Sequence, residues 1–438
     1  MNKEKKIILF IIFFCLFLFW NLIVTDLYAD EVWNYGFSKA IYDGLVPYKD
    51  FNMVIPPLYP MLNAFFFKIF GPDILVLHIV NALIITFMCY LLYLLIDKKF
   101  LILLLLFFLT CTNMFPNYNL FILFLFILLI FLEKKNTNDI LIGFIIGISI
   151  ITKQTIGLCL ILPSLLYIKD SRKILKRFIG IIIPCIILLI YLLLQGNFNE
   201  FMDLCVFGLF DFTKNNSNSW FIYILSFIYL IICFIEIKRN SKNINNYYAL
   251  AMFSMIIPLF DFPHFQISLF CLLLILFINH DIKIKINIPL FFFGIVTGIS
   301  IIQLYPKLSD GIIYPNKINH LEYRFLSKAE IEYTNVINEY LNKNNDREVI
   351  FLTNNAYYFR IIRDEKITKV DLINYGNHGY HGSDKLLKLI KSKTDALFII
   401  DKVELNKKRQ TDKRIIHYVM EHGKKIDEIN TYEVYELK

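Results

Sequence analysis

Long apolar runs separated by short basic clusters recur from the N-terminus to about position 304, after which the chain switches to short alternating stretches. The runs fall at 7–24, 74–96, 100–132, 140–168, 178–194, 220–235, 248–279 and 288–304. A stretch such as the 18 residues of 7–24 has the length of a membrane-crossing helix, for which about 20 residues suffice. Basic clusters stand at 3–6, 98–99, 134–135, 169–177, 238–242 and 283–285. Lys and Arg concentrate in cytoplasmic loops, so all six are expected on that side. Successive clusters are then joined by an even number of crossings. Three of the runs must be compact hairpins, at 100–132, 140–168 and 248–279, with the polar tips TNMFPNYN, TKQT and FDFPHF and arms of about 11 to 15 residues. Arms so short leave the tips inside the outer leaflet, where irregular backbone is tolerated only if it lines a protein cavity. The reading predicts about eleven crossings, a cytoplasmic N-terminus, a long outer segment at 25–73, and a C-terminus outside.

Beyond 305, apolar alternation predicts strands at 349–352, 397–400 and 432–437, separated by helical periodicity at 327–342, 384–393 and 412–422. The expected fold class is a polytopic α-helical membrane protein. Its membrane domain covers 1–304, and a small extracytoplasmic α/β domain covers 305–438.

Composition agrees. The chain is 57% hydrophobic, with 43 Phe and a mean hydropathy of +0.55, too apolar for one ordinary soluble core. Of its 82 charged residues, 43 fall in the last 134 positions. The net charge of +8 sits in the inter-run clusters, which orientation in a membrane explains better than nucleic acid does. Seven of eight cysteines lie in apolar segments, and no disulfide or CxxC metal spacing is indicated. The basic start and apolar run lack an A-x-A cleavage site, so a retained first helix is expected. No Gly-rich phosphate loop, G-x-S-x-G or nucleotide fingerprint occurs, which argues against direct use of a nucleotide sugar or ATP.

Chemistry-bearing residues gather at the expected outer side. Asp26, Asp30 and Glu31 follow the first run. The first two, four apart, share a face on a helix, and a stretch from Asp30 to Asp43-Gly44 reads as an interfacial amphipathic helix. Acidic residues there also suit a helix N-terminus without further function. Lys153 is the only charged residue between Asp139 and Lys169. An ionisable group inside an apolar hairpin is a functional candidate, for phosphate, with snorkelling toward water as its alternative. His264, three residues after Asp261, fits either a donor to phosphate or sugar hydroxyls or a turn cap. Asp50 fits an acceptor contact or an ordinary loop aspartate. His378 and His381 lack metal-site spacing and read as loop residues.

Several motifs together resemble bacterial GT-C fold glycosyltransferases, the superfamily of protein O-mannosyltransferases and lipid A aminoarabinose transferases. They are D-L-Y-A-D-E, then Tyr35, Ile41, Gly44 and Pro47-Tyr48, then Lys49-Asp50, Pro56-Pro57 and Phe70-Gly71. Thr152-Lys153-Gln154-Thr155 and Pro263-His264-Phe265 complete the set. The resemblance implies a hexosyl- or pentosyltransferase. Such an enzyme moves a sugar from a polyprenyl-phosphate donor in the membrane lipid to a glycan, lipid or protein acceptor of the cell envelope, at the outer face. It implies a first-loop acid as general base, matched best by Asp30 with Glu31 adjacent, and inversion at the anomeric carbon. Lys153, Gln154, His264, Asp50 and Asp26 are the expected substrate-binding residues. No cofactor is certain: a second carboxylate fits either acceptor orientation or a divalent cation held on the phosphate. The rival class is a lipid-linked glycan flippase or repeat-unit polymerase. No inverted repeat supports a transporter, and the acid-rich outer segment suits an active site better than a gate.

Overall fold

A computed structural model describes residues 3–24, 30–96, 115–215, 219–257, 259–280, 305, 308–405 and 412–437. Asp26, the first hairpin arm at 100–114, the crossing at 288–304 and the basic clusters at 98–99 and 283–285 lie outside the described residues.

The N-terminal part is a bundle of apolar helices. Helix α1 (Lys3–Val24) packs along α4 (Ile74–Leu95), with Phe10 edge-on to Phe87, and α4 packs on α5 (Tyr118–Lys134). Next come α6 (Asp139–Ile150), α7 (Gln154–Leu166), α8 (Ser171–Gln195), α9 (Trp220–Arg239), α10 (Ile244–Ala251) and α11 (Phe262–Asn279). Four of the described helices, α4, α8, α9 and α11, are long and apolar enough to cross a membrane. The α6–α8 crossing is a close backbone approach. A Cβ on Gly143 would sit 2.0 Å from the Arg177 carbonyl oxygen, and one on Gly180 would sit 2.2 Å from that of Ile140. Small residues at helix crossings serve packing where lipid supplies no hydrophobic drive. The outward faces of α8 and α9 carry exposed Phe178, Ile187, Leu194, Trp220, Phe227 and Phe234, as a lipid-facing surface would.

Three stretches depart from expectation. The segment from Asp30 does form a helix, α2 (Asp30–Tyr42), but nearly all of it from Glu31 to Ala40 is buried. It is sandwiched between other elements rather than lying with one face to water. The outer segment also holds a second helix, α3 (Leu58–Phe70), ended by Gly71 at φ +91°. Its 13 residues are too few to cross a bilayer, which is why the sequence pattern reads as loop. Between α8 and α9 the expected loop is largely helical across 198–215 and includes a π-helical turn, Met202–Phe207.

The C-terminal part contains a four-stranded sheet of order β3-β4-β6-β5, with β3 (Val349–Leu352), β4 (Leu397–Asp401), β5 (Gly423–Ile429) and β6 (Tyr432–Leu437). β3 and β4 are parallel and the other pairs antiparallel. A two-stranded ribbon, β1 (Ile312–Ile313) with β2 (Leu326–Ser327), precedes helix α12 (Lys328–Lys343). One face of the sheet packs Ile350, Phe398 and Ile400 against α14 (Gly382–Lys391) and α15 (Lys413–His422). The other packs Phe351, Leu397 and Val434 against α12 and α13 (Ala356–Ile362), in a core that also takes Val32, Tyr35, Phe37, Tyr48 and Phe51 of the outer segment. The Tyr357 ring of α13 lies where a Cβ on Gly36 of α2 would stand, 2.5 Å away. Outer segment and terminal sheet therefore share one core.

Candidate active site

The candidate site forms where the start of α2 meets three other chain reversals. The α6–α7 turn brings Lys153, with Ser149 O and Gly157 N–H hydrogen-bonding its backbone on either side. Its ammonium donates to Asn119 Oδ1 at 2.8 Å, lies 3.2 Å from Met255 Sδ and sits 5.5 Å over the Tyr118 ring. Only 9% of Lys153 is exposed, so it reaches inward rather than snorkelling to water. All three partners are neutral, and among the described residues no carboxylate forms an ion pair with this ammonium, although Asp261 and Asp30 lie within electrostatic reach.

At the start of α11, Asp261 caps the helix by accepting from the His264 backbone N–H at 3.0 Å. Its carboxylate also lies 2.7 Å from His264 Nδ1, so that nitrogen carries a proton and Nε2 remains for the cleft. Asp30 begins α2 and its carbonyl accepts from Asn34 Nδ2 at 2.5 Å. Burial raises the Asp30 carboxyl above the usual carboxylate range. His264 opposes the shift, Asp261 adds to it and Lys153 opposes it. Asp30 thus shares an electrostatic neighbourhood with residues from two hairpins more than a hundred positions away. A narrow cleft lined by Val54, Tyr118, Lys153, Gln154, Met255 and His264 opens beside them.

The other expected residues divide. Glu31 is fully buried on different partners: its Oε1 is hydrogen-bonded to His78 Nε2 of α4, and its Oε2 lies 3.4 Å from the Arg324 guanidinium. Gln154 fastens the cleft wall, donating from Nε2 to the carbonyls of Cys205 at 2.6 Å and Val54 at 3.2 Å. Asp50 is exposed and accepts from the Val46 N–H at 2.7 Å, closing its own turn, and its charge is felt by Tyr191 on α8. Asp50 therefore stands apart from the Asp30 group. Sequence reasoning missed Asn119 and Tyr118, whose one signal is a polar NYN interrupting an apolar run. Among the described residues no three His, Cys, Asp or Glu side chains gather as a metal site would need.

Among solved structures, the chain is similar to ArnT from Cupriavidus metallidurans in the apo state, with a TM-score of 0.61 at 10% identity over 99% of this chain and 98% of that one. ArnT from the same organism bound to undecaprenyl phosphate matches at 0.60 and 11% identity, with the same coverage. The likeness spans both the helical bundle and the terminal sheet, and it shows that this chain shares the fold of ArnT. No family model matches the sequence, and no curated protein matches it.

Proposed function

We propose that this chain is a membrane glycosyltransferase that takes a sugar from a polyprenyl-phosphate donor and passes it to a hydroxyl of a cell-envelope acceptor at the outer membrane face. The observation that carries the reading is a buried lysine that makes no ion pair among the described residues and a histidine lining one cleft, with the Asp30 carboxylate in electrostatic reach of both. The undecaprenyl phosphate held by the similarly folded ArnT supports the donor class. Lys153 and the His264 Nε2 side supply positive charge and a hydrogen-bonding group for the lipid phosphate. Asp30 takes the proton of the acceptor hydroxyl as its oxygen bonds to the anomeric carbon. The bond from that carbon to the phosphate oxygen breaks, and the polyprenyl phosphate leaves with the electron pair. One displacement inverts the anomeric centre, and because phosphate is already a competent leaving group the protein's task is mainly alignment and proton removal.

The test separates the two roles. Protein purified from membranes is analysed by mass spectrometry for bound polyprenyl phosphate, and transfer is followed through the envelope glycans. Asp30→Asn is expected to keep the lipid and lose about 10²–10⁴-fold in transfer, the usual worth of a general base. Lys153→Met is expected to lose the lipid. Full transfer by well-expressed Asp30→Asn would remove the base, and a Lys153→Met protein that retains lipid would remove the phosphate role.

A further inference from the structure

A second cleft, of about 210 Å³, lies where the outer segment and the 198–207 helical turns meet the terminal sheet domain. Its walls carry Asn52, Glu200, Asp203, Lys369, His378 and Lys385. It shares a partition with the Lys153 cleft. Tyr48 faces this side, and its hydroxyl donates at 2.8 Å to the carbonyl of Ile55, which lines the other. Leu204 faces this side, and the next carbonyl, of Cys205, is the one held by Gln154.

The lining has a defined chemistry. Two carboxylates face two ammonium groups, so the cleft carries no net charge. Asp203 is spent, accepting from Lys385 Nζ at 2.7 Å and from the Tyr380 N–H at 3.1 Å. Among the described residues Glu200 and Lys369 form no ion pair, which leaves one acceptor and one donor available. Asn52 Nδ2 lies 3.1 Å from the Lys369 carbonyl oxygen and 3.2 Å from His378 Nδ1, so its Oδ1 is left as a further acceptor. Burial pushes the His378 imidazole down to about 4, so it is neutral at physiological pH. A phosphate would meet no excess of positive charge here, and an alkyl chain would cover the apolar Tyr48, Leu204, Leu386 and Leu389 but leave Glu200, Lys369 and the Asn52 oxygen without hydrogen-bond partners. A hydroxyl both donates and accepts, and a ring bearing several matches mixed, charge-balanced groups. The volume lies below the roughly 300 Å³ at which full ligand sites begin, which suits one ring-sized unit.

We propose that this cleft binds one uncharged, hydroxyl-bearing sugar unit of the acceptor. The proposal rests on the transferase reading above. Because the partition separates the two clefts, the unit held here is a neighbour of the one that receives the new sugar, and the acceptor is a glycan of more than one residue. The test uses the full chain in detergent with a neutral disaccharide glycoside carrying an aliphatic diazirine. After irradiation, mass spectrometry locates the label. The expected result is labelling of peptides covering 198–207 and 369–389, suppressed by excess unlabelled disaccharide and insensitive to inorganic phosphate. Glu200→Gln, at an exposed side chain, and Asn52→Ala, at a half-buried one, are each expected to cut it about tenfold, the value of one lost hydrogen bond to a polar ligand. Label elsewhere, labelling unchanged in both variants, or displacement by inorganic phosphate would overturn the proposal. Bound polyprenyl phosphate is measured in the same sample. Protein that holds the lipid but not the probe overturns the sugar cleft alone, whereas protein that takes the probe but never the lipid supports the cleft and removes the donor reading.

Discussion

Asp30 titrates in a field made by three other side chains, and that field can be tuned one residue at a time. Burial makes its carboxyl harder to ionise, His264 and Lys153 make it easier, and Asp261 makes it harder. A general base works only when ionised, so transfer should fall as pH drops through this raised pKa. The acid limb of the rate profile should then lie above the position of an ordinary carboxylate. Lys153→Met removes a charge that favours the ionised form, and the limb of its residual activity should move to still higher pH. A limb unmoved by Lys153→Met, measured from residual transfer against pH, would mean that another group sets it. Asp30 and Glu31 are adjacent and chemically alike, and in the sequence only the family resemblance ranks Asp30 ahead of Glu31. The structure does, because neighbouring residues on a helix project about 100° apart and Glu31 meets His78 and Arg324 instead of Lys153.

That buried ion cluster joins three elements: α2 through Glu31, α4 through His78, and the stretch between β1 and β2 through Arg324, which is 0% exposed. Its position next to Asp30 makes it the natural anchor for the start of α2. Arg324→Ala would strip a buried carboxylate of a cationic partner, a change that costs about 3–5 kcal/mol. The expected outcome is a clearly lower apparent unfolding temperature in detergent, partly recovered when Glu31→Leu is added, since the pair acts as a unit. An unchanged unfolding temperature for Arg324→Ala would show that the cluster is not holding the helix. Such a pairing is invisible in a sequence because it depends on which surfaces the fold brings together. Elements with a clear period were legible: 349–352, 397–400 and 432–437 are strands, and 327–342 differs from Lys328–Lys343 by one residue at each end. Gly423–Ile429 was not, because GKKIDEI is an edge strand with charges on both faces and no apolar alternation. Ala356–Ile362 was missed for the opposite reason: AYYFRII is buried all round, so no polar face marks its helical period.

Across the whole molecule, charge is sorted to opposite ends of the bundle. At one end Arg177 of α8 donates to both Glu133 oxygens, at 2.6 and 2.9 Å, and to Asp139 at 2.9 Å. Tyr248 donates to the same Glu133, Lys134 donates to the α4 carbonyl of Leu95, and His280 Nε2 pairs with Glu236. These residues lie beside the basic clusters at 134–135, 169–177 and 238–242. At the other end α8 finishes near the outer segment, where Asn197 Nδ2 donates to the Pro47 carbonyl at 2.7 Å. The 25 residues of α8 separate the two ends by about 37 Å, more than the hydrocarbon thickness of a bilayer. We propose that the first end, with its lysines and arginines, is the cytoplasmic one, as the positive-inside bias expects, and that the Asp30 cleft and the terminal sheet face the outer side. Single cysteines at two exposed lysines test this directly. With a membrane-impermeant maleimide on intact cells, and the native protein as background, Lys388→Cys in the terminal domain should react at once. Lys135→Cys should react only after the membrane is permeabilised. The reverse pattern would turn the cleft toward the cytoplasm, where an outer-face acceptor could not reach it, and the proposed reaction would fall with it.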